Sequence, residues 1–189
     1  MADLSRDEII KNVQDGVSME GMDLSKVDLS YANLKNGKFT NVNLAGAHLQ
    51  NANCEGTNFS GANLEDTFLF GSNLKGANLT GSTLTGANLQ DTNLEGANME
   101  GMNLTKQSLF GAQLDNANLK GACLQGAKLK RASLINANLQ DADLSGASCQ
   151  RANFLKANLK NANLLQTNLK YANLEQAITD GVNMDETIQ

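Results

Sequence analysis

A leucine-type residue recurs at every fifth position in one register from Met19 to Leu174, with only Met, Phe or Cys substituting. A second register lies two residues earlier and is small: Ala32, Ala47, Ala52, Ala62, Ala77, Ala87, Ala97, then Ala112 through Ala162 without interruption. A step of five fits neither an α-helix, whose apolar stripe returns at three and four residues, nor a long strand, which alternates by two. Each unit Ala-Asn-Leu-x-x holds one local alternation, with Ala and Leu inward and Asn outward. The next inward residue follows three positions later, so the chain turns between units. Four corners of about 90° close a circuit of twenty residues, and successive circuits stack at the strand spacing of about 4.8 Å.

Glycine marks the corners. Of seventeen glycines, sixteen share the slot two residues after the leucine, and Gly37 is the exception. The other occupants of that slot are mostly Asn, Asp, Lys and Arg, and Asn and Asp tolerate turn geometry. Proline is absent, as expected where interior N–H groups bond from coil to coil.

Runs such as Gly86-Ala87-Asn88-Leu89-Gln90 and Lys156-Ala157-Asn158-Leu159-Lys160 resemble the A(D/N)LXX unit of pentapeptide-repeat proteins. The resemblance covers residues 17–176. It implies an all-β fold, a right-handed quadrilateral β-helix, with Leu at the central inward position and Ala at the inward position before it. Closure and stacking follow from the period, which gives about eight four-sided coils; the handedness comes from the resemblance alone.

Three segments are expected: a capping helix within 1–16, the β-helix over 17–176, and an irregular cap or tail over 177–189. Ser5 and Glu8 form a capping box, Gly16 is a natural stop, and Ile9, Ile10 and Val13 offer an apolar face to the first coil. A disordered leader is the alternative. Beyond Leu174 the pattern falters: Thr179 takes a leucine slot and Ile178 an outward one. Ile178, Met184 and Ile188 then fold over the last coil or meet a second molecule. Members of the resembled family dimerise through this end, so a monomer and an end-to-end homodimer both stay open.

No apolar leader or membrane-length run is present. Cys54 and Cys149 fill inward slots almost five coils apart, more than about 20 Å at strand spacing, and Cys123 is outward and solitary. Three thiols that cannot pair point to the cytoplasm. The sequons at Asn78 and Asn103 are by-products of the repeat.

Residues differing by twenty stack into columns. Lys35, Glu55, Lys75, Glu95 and Asp115 form a charge ladder that reads as structural, continued by Ile135 and Leu155, expected to be apolar and exposed. The Asn column 58, 78, 98, 118, 138, 158 reads as a hydrogen-bonded stack. A different face breaks the pattern. Its outward positions run Asp28, His48, Phe68, Asn88, Ser108, Lys128 and Ser30, Gln50, Phe70, Gln90, Phe110, Lys130, with Arg131 and Arg151 on the adjoining corner. Phe39, Phe59 and Phe154 take core slots, whereas Phe68, Phe70 and Phe110 point outward here. Exposed aromatics beside Arg and Lys are typical interface anchors, which makes Phe68, Phe70, Phe110, Lys128, Lys130, Arg131 and Arg151 the candidate partner-binding residues. Met102 and Gln107 occupy inward slots that are otherwise mostly small, which predicts an irregular coil around 102–110.

No catalytic residue, metal site or cofactor is expected. His48 has only a stacked Asp28 beside it, no Cys/His cluster has ligand spacing, and Gly37-Lys38 lacks the rest of a phosphate loop. A filled rod also offers no deep pocket. The reading is therefore a non-enzymatic protein-interaction scaffold with an unidentified protein partner. The alternative is a DNA-gyrase or topoisomerase-binding DNA mimic conferring fluoroquinolone tolerance, because some members of the resembled family protect gyrase that way. Net charge of −5 suits it superficially. Residues 1–28 carry seven acids and three bases, and residues 175–189 four acids and no base, but the body between holds nine acids and twelve bases. A mimic needs a negative flank, and this one is mildly positive. Nucleic-acid binding through Lys128, Lys130, Arg131 and Arg151 is disfavoured by the overall acidity.

Overall fold

The computed structural model describes residues 4–188. Parallel bridges join residues twenty apart from Ser18–Lys38 to Asn168–Ile188, so one circuit is twenty residues. Residues 17–176 make eight coils, the first being 17–36. The outward centres of faces 1 to 4 fall at 18, 23, 28 and 33 and at every twentieth residue after each.

The link from sequence to corner is a β-turn. The N–H of the small inward residue donates to the carbonyl of the leucine three positions back, as from Ala77 to Leu74 at 3.0 Å. The residue between them in the glycine slot has positive φ, +65° at Gly76, the pattern of a type II turn. The same slot keeps positive φ when it holds Lys26, Tyr31, Arg131 or Gln166. Between corners each face gives its neighbour a short ladder: Leu74 N–H to Asn93 O at 2.7 Å, Gly76 N–H to Glu95 O at 2.8 Å, and Asn93 N–H back to Ser72 O at 2.9 Å. The leucine and alanine registers fill the interior and are almost wholly buried.

Outward asparagines serve both the turn and the stack. Asn73 Oδ1 accepts from the Lys75 N–H at 3.1 Å, and Asn73 Nδ2 donates to Asn53 Oδ1 at 3.1 Å. The expected Asn stack holds for Asn98, Asn118, Asn138 and Asn158 but does not extend to Asn78 and Asn58, the latter donating to Thr40 Oγ1. In the charge ladder, Lys35–Glu55 and Lys75–Glu95 pair at 3.0 and 2.9 Å. Ile135 and Leu155 lie half-buried rather than exposed.

Gly37 departs from the corner slot because it sits inward. A Cβ there would run into the Phe39 ring and come 2.9 Å from the Leu34 carbonyl oxygen. The missing side chain makes room for Phe39, which stacks on Phe59 with centroids 5.4 Å apart.

At the N-terminal end, helix α1 (Arg6–Gln14) opens with the Ser5–Glu8 capping box. Ile9 and Val13 bury against the first coil, and Ile10 packs beside them. Arg6 donates from both guanidinium ends to Asp28 O and Ser30 O, at 2.8 and 2.7 Å. Those two carbonyls occupy the places that accept N–H bonds from the preceding coil elsewhere in the stack, so the helix closes the open edge of face 3.

The expectation of an irregular segment from 177 is corrected. Ile178, Asn183 and Ile188 pair with Asn158, Asn163 and Asn168, and Gly181 and Glu186 hold positive φ. Residues 177–188 are three more faces in register. Thr179 and Ile178 violate the side-chain pattern, but the ladder and the turns continue there on backbone bonds, Ile178 N–H to Ala157 O at 2.9 Å and Val182 N–H to Thr179 O at 3.2 Å.

Candidate partner-binding face

Face 3 and the corner that follows it carry every candidate residue. Phe68 stands at a face centre and Phe70 at the corner of coil 3, and both are exposed, at 44% and 42%. Phe39, Phe59 and Phe154 are completely buried. His48 stacks against Phe68 with centroids 4.7 Å apart and planes tilted by 40°. One coil from Phe70, the side-chain oxygen of Gln50 is buried without a hydrogen-bond partner.

Two coils further on, a second cluster forms. Phe110 is half-buried rather than fully outward, because the Arg131 guanidinium of the next coil lies over its ring at 5.9 Å. Gln90, Ser108, Phe110, Lys128, Lys130 and Ser148 line one shallow depression of about 380 Å³. The structure thus brings Phe110, Lys128, Lys130 and Arg131 together, and it places Phe68 and Phe70 on the same face but apart from them. Arg151 joins a third group that the sequence reading missed: its guanidinium lies 5.9 Å from the Tyr171 ring, with Lys170 Nζ at 5.3 Å. Tyr171 is 71% exposed. The signal was present in the columns 131, 151, 171 and 130, 150, 170, followed one step further.

The irregular coil expected near 102–110 is present. The Thr83–Asn103 pairing is missing from an otherwise continuous series on face 2. Leu84 and Gly86 N–H groups make no bond to the next coil there, and Asn103 N–H makes none back to Ser82. Met102 and Gln107 both fill inward slots beside this gap. Inward threonines Thr57, Thr92 and Thr167 each donate to a leucine carbonyl one coil away, at 2.9, 3.2 and 2.8 Å. Gln107, with a longer side chain, makes the corresponding bond to Leu84 O and another to Ala87 O at 3.2 Å. A cleft of about 240 Å³ opens between Leu84, Gly86, Asn103 and Thr105.

Among the described residues no group of His, Cys, Asp and Glu is arranged to hold a metal ion, and no helix is long and apolar enough to cross a membrane. Burial pushes the Cys54 and Cys149 thiols up to about 12.

The model of a family described as pentapeptide repeats matches eight copies, over residues 15–41, 38–76, 72–109, 112–148 and 147–185. The chain belongs to the pentapeptide-repeat family. Among solved structures it is similar to HetL from the cyanobacterium Nostoc sp. strain PCC 7120, a pentapeptide-repeat protein involved in heterocyst differentiation regulation. The identity is 28% with a TM-score of 0.62, covering 97% of this chain and 96% of HetL. It is also similar to a trypsin-treated variant of QnrB1, a plasmid-mediated fluoroquinolone resistance protein. There the identity is 21% and the TM-score 0.69, covering 90% of this chain and 88% of that one. The second likeness speaks to fold alone. Comparison with curated proteins finds no match.

Proposed function

We propose that this pentapeptide-repeat protein is a non-enzymatic, cytoplasmic interaction scaffold, a right-handed quadrilateral β-helix whose partner docks on face 3. Phe68 and Phe70 supply the apolar contact, and Phe110, Lys128, Lys130, Arg131 and Arg151 extend it as a basic, aromatic corner. One observation carries the reading: Phe68 and Phe70 stay about half exposed on one flat face, in a chain that buries Phe39, Phe59 and Phe154 completely. Burying one such ring is worth about 1.5–3 kcal/mol, so leaving two in water favours a surface that is covered when bound. The likeness to HetL, which is involved in regulation, supports a binding role over a chemical one.

The test is a Phe68→Ala/Phe70→Ala variant compared with wild type in affinity capture from the host lysate. Loss of a captured protein with an unchanged circular dichroism spectrum is expected. Unchanged capture would remove this face from consideration.

The second reading, a gyrase-binding DNA mimic, draws only on the fold shared with QnrB1. The cations of face 3 and the mixed Lys–Glu ladder leave no uniformly negative flank, which a duplex mimic requires. No protection of gyrase supercoiling from a fluoroquinolone is expected, and protection at stoichiometric protein would reverse the ranking.

A further inference from the structure

The corner after face 3 ends in a group of cations that have no ion-pair partner among the described residues. Lys128, Lys130, Arg131, Arg151 and Lys170 are all exposed. The ion pairs among the described residues are Arg6–Asp28, Lys35–Glu55 and Lys75–Glu95, so none of these five has a carboxylate of a described residue within 4.0 Å. Arg131 and Arg151 occupy one column on adjacent coils, about 4.8 Å apart along the stack. Like charges stacked in register are destabilising. Elsewhere the Lys35–Glu55–Lys75–Glu95 column alternates sign, with Glu95 and Asp115 its one like-charge step. Here the chain lays the guanidiniums over Phe110 and Tyr171 instead. A ring face orients a guanidinium without neutralising it, and its N–H edges stay free for a forked contact with a carboxylate.

We propose that this corner binds a short acidic segment of a protein partner, with carboxylates held by Arg131 and Arg151 and flanked by Lys128, Lys130 and Lys170. The inference rests on the docking reading above and names the chemistry of the partner. The limits of the patch favour a protein over a nucleic acid. From Phe110 to Lys170 it spans about 15 Å at strand spacing. Asp91 occupies the arginine column at one end, and Glu175, Asp185 and Glu186 lie in the coils at the other. A phosphate backbone running along the stack meets these acids within about a Debye length or two, roughly 8 Å each at physiological salt. A short carboxylate-bearing segment fits between the two acidic boundaries and lies beside the apolar Phe68/Phe70 surface.

The test titrates a labelled short poly-L-glutamate peptide, and separately an oligothymidylate of similar length, by fluorescence anisotropy at physiological salt. The variants are wild type, Arg131→Gln/Arg151→Gln/Lys170→Gln, and Arg131→Lys/Arg151→Lys. Glutamine suits these sites, because Gln166 and Gln176 already hold the positive-φ corner at 57° and Gln50, Gln90 and Gln150 share the column of Lys170. Wild type is expected to bind the peptide more tightly than the oligonucleotide. The glutamine variant should lose at least about tenfold, and the lysine variant, with its charge kept but its forks removed, should lose less. No peptide binding by wild type, equal binding by the glutamine variant, or tighter binding of oligothymidylate overturns the proposal. The capture experiment with Phe68→Ala/Phe70→Ala reads the docking face separately. If that variant loses its partner while the peptide never binds, the face stands and the acidic class falls.

Discussion

Gln107 Nε2 donates to Ala87 O at 3.2 Å, the carbonyl that faces the Ser108 N–H where Asn88 and Ser108 still pair. A side-chain amide thus competes with a backbone amide for one carbonyl, and the ladder between coils 4 and 5 is interrupted beside it at Thr83 and Asn103. Ala87, Ala127 and Ala147 share the column, so alanine fits the site without strain. Gln107→Ala should let the Leu84, Gly86 and Asn103 N–H groups re-form their ladder bonds, each worth about 0.5–1.5 kcal/mol net. The variant is expected to be more stable by about 1–2 kcal/mol in urea melts, since the lost amide bonds offset part of that gain. Hydrogen exchange at those three amides should slow markedly in the variant; unchanged exchange would show that the interruption has another origin.

Gly37→Ala places a methyl group against the Phe39 ring and the Leu34 carbonyl. Overpacking of this kind costs about 1–3 kcal/mol. Gly76→Ala meets nothing within 4 Å and bears only its φ of +65°, a cost of about 1–2 kcal/mol. Adding Phe39→Leu should recover part of the loss for Gly37→Ala and none for Gly76→Ala. The coupling is measurable as a double-mutant cycle.

Thiol chemistry separates the three cysteines. Cys54 and Cys149 are buried, with their thiols held at about 12, while Cys123 is exposed. A thiol-disulfide reagent at pH 8 is expected to modify one cysteine per native chain and all three after denaturation. Rapid modification of a second thiol in the native protein would contradict the buried positions.

Acid should loosen the N-terminal end. The backbone N–H of Ser5 beside Glu8, that of Ser25 beside Asp23, and the Ser30 hydroxyl beside Asp28 each lower the neighbouring carboxyl pKa from its ordinary value. A depressed folded pKa contributes stability above the unfolded value, and that stability is lost as pH falls through the folded one. The melting temperature should therefore hold steady down to the ordinary carboxyl values, 4.5 for Glu8 and 3.8 for the two aspartates, and decline below them. Glu8→Gln should remove the Glu8 contribution, whereas Ser5→Ala, which keeps the backbone N–H and loses only the hydroxyl, should remove part of it.

The coil was legible because its period is local and repeated. Five-residue spacing, the glycine slot and the leucine slot gave the circuit length, and Met102 and Gln107 marked the irregular coil by their size. The candidate face was legible as columns but not as clusters. Phe110 was read as outward, yet its neighbour Arg131 covers it. Tyr171 and Lys170 lay in the same columns unread, because a ring and its cation meet only through rotamers that no spacing encodes. At Ile178 and Thr179 the side chains leave the repeat while the backbone ladder continues, so the side-chain pattern alone does not mark where the coil ends.

By itself the sequence determined where the chain turns and what goes inside, since a corner every five residues and a large apolar side chain in every unit leave one way to exclude water. Tertiary structure alone decided how neighbouring coils meet: that Arg6 closes the edge at Asp28 and Ser30, that Gln107 reaches Leu84 O and Ala87 O, and that Arg131 and Arg151 rest on rings without an ion pair among the described residues. Those outcomes depend on side-chain reach across a gap of about 4.8 Å between coils, a distance the sequence implies but whose occupants are set only when the coils stack.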